Sequence, residues 1–130
     1  MLVLQAARWR VVRVPDEHFP AFYRVIWNAH AAEFTDLWPA ERAECMEVVA
    51  RVEHALREPL KPTKINLASL GNQVPHLHWH VIARFDWDSH FPDPVWAGAR
   101  RSVEPPAVTR LAMSLERLDG AVRAALNAAA

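Results

Sequence analysis

Apolar positions recur along this chain with two different periods, and the period separates strands from helices. Residues 9–14 (WRVVRV) are short and β-branched and run into Pro15-Asp16, which predicts a strand and then a turn. Residues 22–27 (FYRVIW), dense in aromatic and β-branched side chains, predict a second strand, with Asn28-Ala29-His30 as loop. From Pro39, a residue suited to a first helical turn, Ala43, Met46, Val49, Val52 and Leu56 recur at three- and four-residue steps, with Cys45 and Val48 widening the stripe. That helix is expected to end near Arg57, ahead of Pro59 and Pro62. Residues 64–69 predict a third strand, Gly71-Asn72 a tight turn and residues 76–85 a fourth strand. Pro92, Pro94, Pro105 and Pro106 make the next stretch irregular, and Leu111, Leu115, Leu118, Val122 and Leu126 mark a second helix over about 107–127. Strand, strand, helix, strand, strand, helix points to an α+β domain with an antiparallel sheet and helices on one face. No repeat or linker divides the chain, so one domain over 1–130 is expected.

Composition narrows the function classes. A length of 130 residues suffices for a core without staples. Fifteen basic and fifteen acidic residues cancel, which gives no reason to expect a nucleic-acid polymer as partner. A local cluster of donors can still bind a small phosphate ligand. Cys45 is the single cysteine, so neither an internal disulfide nor a cysteine-rich zinc site is available. The first apolar run is too short for a signal peptide, and no stretch approaches the roughly 18 apolar residues of a membrane span. The expectation is a cytoplasmic protein without a membrane partner.

The chemistry concentrates in Val74-Pro75-His76-Leu77-His78-Trp79-His80-Val81-Ile82. Successive strand side chains point to opposite faces. Leu77, Trp79, Val81, Ala83 and Phe85 therefore form an apolar core face, while His76, His78 and His80 share the other. Same-face neighbours are about 6.6 Å apart and the outer two about 13 Å, so adjacent members could share a zinc ion but all three could not. A metal site would need further ligands, such as His30, His54, His90 or an aspartate. A nucleophilic role requires less. Free imidazole has a pKa near about 6.5, so His78 can attack phosphorus as a neutral base. The phosphoramidate so formed is opened by water or another acceptor, while flanking imidazoles donate to the phosphate oxygens.

The string HLHWHVI matches the H-φ-H-φ-H-φ-φ signature (φ apolar) of the histidine-triad (HIT) superfamily. Its surroundings resemble the bacterial diadenosine-tetraphosphate-hydrolase-like branch: Lys64-Ile65-Asn66-Leu67, Leu70-Gly71-Asn72 and Val74-Pro75 before the triad, and Phe91-Pro92-Asp93-Pro94-Val95-Trp96 after it. The Val25-Ile26 strand and Phe34-Thr35-Asp36-Leu37 are similar too, and the resemblance spans about residues 9–98. It implies a HIT-like sheet of about five strands with two helices, and His78 as nucleophile on an α-phosphate, forming a nucleotidyl-histidine. His80 would contact phosphate and His76 would hold the site. Asn72 and Gln73 fall where the family places polar side chains near phosphate and leaving group, and Asp16 where a ribose-binding residue is common. The loop before the triad is shorter than in the purine-nucleoside phosphoramidase branch, and the cysteine pair that can carry zinc there is missing. The third triad position is His80, where nucleotidyl transferases such as the galactose-1-phosphate enzyme typically carry glutamine, which favours hydrolysis. Homodimers are usual in the family.

Bland readings stand beside these. Asp16 is also an ordinary turn residue, Asn66 could bond backbone at an edge, and Arg84 could meet phosphate or form a salt bridge. Trp9, Trp27, Trp38 and Trp79 fit core or interface, whereas Trp96 could reach a nucleotide or a partner subunit. A structural role is expected for His30, and His18, His54 and His90 are expected in solvent. The expected activity is cleavage at the α-phosphate of a dinucleoside polyphosphate or nucleoside phosphoramidate, with no cofactor required and Mg²⁺ accompanying a polyphosphate substrate. The rivals are a non-catalytic nucleotide-binding module, a nucleotidyl transferase and a histidine metalloprotein.

Overall fold

The computed structural model describes residues 1–127. Strands β1 (Leu2–Gln5), β2 (Trp9–Arg13) and β3 (Phe22–Trp27) lead through a 3₁₀ turn at Phe34–Asp36 into helix α1 (Pro39–Leu60). Strands β4 (Lys64–Ala68) and β5 (His78–Arg84) follow, then a 3₁₀ turn at Ala107–Arg110 and helix α2 (Leu115–Asn127). The strands form one antiparallel sheet in the order β1-β2-β3-β5-β4. This is the α+β sheet with helices on one face that the sequence pattern predicts, with the five strands and two helices that the family resemblance implies.

Both helices pack on one face. Val11 of β2, Tyr23, Val25 and Trp27 of β3, and Val81 and Ala83 of β5 alternate into a core with Cys45, Val48, Val52 and Leu56 of α1 and Leu118, Val122 and Leu126 of α2. Burial pushes the Cys45 thiol up to about 11, so the one cysteine is an inert core residue. Helix α2 is tied down by a buried ion pair. The Asp119 carboxylate accepts from Arg13 Nε at 2.9 Å and from the Tyr23 hydroxyl at 2.6 Å. Helix α2 thus lies behind the sheet, away from the histidines.

Several element bounds differ from those read off the sequence. Strand β1 was not placed, because it is a four-residue edge with a register shift between Leu2 and Leu4 that breaks the alternation. Helix α1 runs one turn past Arg57: Pro59 is accommodated in the last turn, Leu60 is buried, and Lys61 closes the helix in the left-handed region, its amide donating to Arg57. The second helix begins at Leu115, not near 107. Residues 107–110 form only a 3₁₀ turn, and the helical start is set by Ser114, whose hydroxyl accepts from the Arg117 amide at 3.2 Å.

Candidate functional site

The register of β3 against β5 builds the exposed face of the sheet: Ile26 pairs with His78, Arg24 with His80 and Phe22 with Ile82. Strand β5 begins at His78, so His76 belongs to the approaching loop and not to the ladder. Its imidazole is fixed all the same. His76 Nε2 donates to the Trp27 carbonyl at 2.6 Å, which leaves Nδ1 of the neutral ring as an acceptor for His30 Nδ1, 3.1 Å away. His30 is exposed and stacks on His76 with ring centroids 5.4 Å apart.

The decisive contact belongs to His78. Its Nδ1 lies 2.6 Å from the His76 carbonyl oxygen. A carbonyl only accepts, so Nδ1 carries a proton, and in the neutral ring the lone pair is then on Nε2. His80 has the opposite tautomer. Its Nδ1 accepts from Arg24 Nε at 3.3 Å, which puts its proton on Nε2. Burial, then the charge of Arg24 and the neighbouring His78, lower its pKa to about 4, so it is a neutral donor at neutral pH. The two rings meet edge to face at 5.1 Å. One imidazole therefore presents a lone pair and its neighbour a proton.

A cleft of about 560 Å³ opens over these rings, a volume suited to a nucleotide-sized ligand. His76, His78 and His80 line its floor, and Asn72, Gln73 and Trp96 are brought to its rim. Gly71, at φ +77°, occupies the left-handed region that lets the Asn72 loop turn. Arg10 and Arg24 also line the cleft. They were missed as candidates, and the signal was there: in FYRVIW the strand alternation puts Arg24 opposite the core residues Tyr23 and Val25. What the sequence does not give is that β3 sits beside β5.

Asp16 is not among the lining residues. Its Oδ1 accepts from the amides of His18 and Phe19 at 2.9 and 3.1 Å, a turn-capping role. The reactive face is also shorter than simple alternation implies. Beyond His80, Ile82 and Arg84 are buried beneath the loop that follows β5. Arg84 forms the salt bridge: Nε and Nη2 bond the Asp88 carboxylate at 2.9 and 3.1 Å, while Nη1 donates to Asn66 Oδ1 at 2.9 Å and Nη2 to the Asp93 carbonyl at 2.8 Å. Burial alone would raise the Asp88 carboxyl, but hydrogen bonds from Arg84 and the Phe85 and His90 amides outweigh it and hold the pKa below the ordinary value. His90, expected in solvent, is buried edge-on to Phe19 with centroids 5.0 Å apart. His18 and His54 are exposed, as is Trp38. The loop pinned by Arg84 ends in Trp96, whose side chain is 60% exposed at the cleft mouth.

His30 and His76 bring two ring nitrogens together, but no group of three or more His, Cys, Asp or Glu side chains is arranged to hold a metal ion among the described residues. Nor does any helix among them have the length and apolarity to cross a membrane.

Comparison with known proteins adds a family to this geometry. The HIT domain family matches residues 2–87. Among solved structures, a histidine triad protein from Bradyrhizobium japonicum is 30% identical over 95% of this chain and 88% of its own, with a TM-score of 0.77. A histidine triad (HIT) protein from Sinorhizobium meliloti is 26% identical over 95% of this chain and 85% of its own, with a TM-score of 0.71. A hypothetical histidine triad nucleotide-binding protein from Sulfolobus tokodaii, at 19% identity over 98% of this chain and 83% of its own, shares the fold with a TM-score of 0.62. No curated protein matches the chain.

Proposed function

The chain belongs to the HIT domain family, and from that premise we propose that it cleaves nucleotide derivatives at the α-phosphate through a nucleotidyl-histidine intermediate. The observation that carries the reading is the 2.6 Å contact from His78 Nδ1 to the His76 carbonyl, which leaves Nε2 as the free lone pair of the cleft floor. In the first step His78 Nε2 bonds to phosphorus, and the bond from phosphorus to the leaving group breaks with its electron pair going to that group, a phosphate departing as the anion and an amine taking a proton from solvent as it departs. The Nδ1 proton stays on the ring, where the His76 carbonyl stabilises the positive charge that develops. His80 Nε2–H and the amides of Asn72 and Gln73 are the donors for the phosphoryl oxygens. In the second step water attacks phosphorus and gives up a proton to solvent, the N–P bond returns its electrons to His78, and a nucleoside monophosphate is released.

The substrate class in this reading is a dinucleoside polyphosphate or a nucleoside phosphoramidate, the former agreeing with the likeness to the diadenosine-tetraphosphate-hydrolase-like branch. The nucleotide-binding description of the Sulfolobus tokodaii protein points the same way. No cofactor is needed by these steps, with Mg²⁺ accompanying a polyphosphate. Trp96, exposed at the cleft, would stack on a base or meet a partner subunit in this reading. Asp16 keeps a ribose role only through Oδ2, which has no partner among the described residues. The homodimer that is usual in the family belongs to the proposal, and sedimentation equilibrium checks it.

The test is chromatographic assay of diadenosine tetraphosphate and adenosine 5′-phosphoramidate turnover. His78→Ala should lower kcat by at least about 10³-fold, the scale of losing a covalent nucleophile. Turnover that survives in His78→Ala contradicts the reading. Nucleotide binding without any wild-type turnover would instead favour a binding module, and acceptor-dependent products would favour a transferase.

A further inference from the structure

Arg10 and Arg24 stand on neighbouring strands of the histidine face. Arg10 pairs with Ile26 and Arg24 with Val12, which makes the two arginines diagonal neighbours, and both line the cleft. Each has a neutral partner. Arg10 Nη1 donates to Asn28 Oδ1 at 3.0 Å, and Arg24 Nε donates to His80 Nδ1 at 3.3 Å. Elsewhere Arg8, Arg13, Arg51, Arg84 and Arg100 bond carboxylates. Neither cleft arginine does so among the described residues, and no Asp or Glu is among the residues that line the cleft. Positive charge is thus concentrated in the cleft of a chain whose formal net charge is zero.

Long like-charged side chains at diagonal positions of a sheet are within reach of one another, and their repulsion goes uncompensated here. An anion between them would relieve it. The α-phosphate at His78 and His80 supplies only part of the complementary charge, and the chemistry of departure supplies a reason for the rest. A phosphate leaves as an anion and needs stabilisation but no proton. An amine leaves only with a proton, and a guanidinium does not give one up.

We infer that Arg10 and Arg24 form an anion subsite that selects substrates whose leaving group carries phosphate of its own over those that release an amine. The inference rests on the nucleotidyl-histidine reading for the position of the α-phosphate. In this subsite Arg24 has two duties: Nε fixes the tautomer of His80, and the Nη groups face the leaving phosphate together with Arg10.

The experiment compares wild type, Arg10→Met, Arg24→Met and Arg24→Lys on diadenosine tetraphosphate and adenosine 5′-phosphoramidate, with calorimetric titration of inorganic tripolyphosphate in parallel. Loss of a charge-assisted hydrogen bond is worth a factor of about 10 to 100. The ratio of kcat/KM for the polyphosphate to that for the phosphoramidate should fall by about that factor in both methionine variants. Arg24→Lys, which keeps a charge, should recover part of it, and tripolyphosphate affinity should fall in step. Equal losses on both substrates with tripolyphosphate affinity unchanged would overturn the subsite, as would a wild-type protein that binds no tripolyphosphate. If wild type turns over neither substrate, the hydrolase reading fails. Tripolyphosphate binding that depends on Arg10 and Arg24 would still support the subsite in that case, and binding that does not would overturn it.

Discussion

At the scale of the residue, reactivity rests on which nitrogen of each imidazole holds the proton. Nitrogen-resolved NMR should find His78 as the Nδ1–H tautomer and His80 as Nε2–H at neutral pH, with His80 resisting protonation down to about pH 4. Removing Arg24 should raise that value and scramble the His80 tautomer; a His80 that titrates near 6.5 in wild type would contradict the assignment. The linkage has a definite sign. The unfolded chain takes up this proton near 6.5 and the folded chain only near 4. The associated stability is therefore present above 6.5 and lost as pH falls toward 4. His80→Gln should flatten that part of the acid dependence, read as urea midpoints at pH 7 and 4.5. The histidines were legible in the sequence because three imidazoles at alternate positions face an apolar stripe. Arg10 and Arg24 share their parity with them, but adjacency of β2, β3 and β5 is a long-range fact that no local pattern carries.

Elements hold the cleft by two buried ion pairs, one behind the sheet and one beside it. Behind it, burial and the neighbouring Asp119 raise the Tyr23 hydroxyl well above its ordinary range, so it stays protonated and donates with Arg13 to that carboxylate. Asp119→Ala leaves Arg13 and the Tyr23 hydroxyl unpaired. It should cost about 3–5 kcal/mol in denaturant unfolding, while kcat of the folded protein is unchanged because α2 lies on the face away from the histidines. A fall in kcat of the folded protein would contradict that separation. Beside the sheet, Asp88 accepts from Arg84 and from the Phe85, His90 and Phe91 amides. Asp88→Ala should release the loop bearing Trp96, raising KM more than it lowers kcat, with added mobility there in hydrogen exchange. A lowered kcat at constant KM would argue against this scaffolding role. The long periodic segments, α1 and β3, were readable from sequence. The edge strand β1 has too few residues and a bulge, and the start of α2 is set by Ser114 and by packing, not by the leucine repeat. The choice between phosphate and a salt bridge for Arg84 was not legible, because the covering loop is irregular and leaves no periodic trace.

At the scale of the molecule, the sheet divides two tasks. One face carries the helices and the core; the other carries the histidines, two arginines and the cleft. Sheet order matters more here than any single contact, since placing β5 between β3 and β4 sets Arg24 and Ala68 on either side of His80. That arrangement sets the His78 ring beside the Nε2 proton of His80, with the arginines next to them. The central claim is therefore covalent: His78 Nε2 accepts the nucleotidyl group. The most direct measurement is intact-protein mass spectrometry after rapid acid-free quench of wild type and His78→Ala mixed with diadenosine tetraphosphate or adenosine 5′-phosphoramidate. The account predicts a transient adduct of one nucleoside monophosphoryl group on wild type, located to His78 by fragmentation and missing from His78→Ala. Steady release of nucleoside monophosphate at undiminished rate from His78→Ala, or an adduct on any other residue, would contradict it.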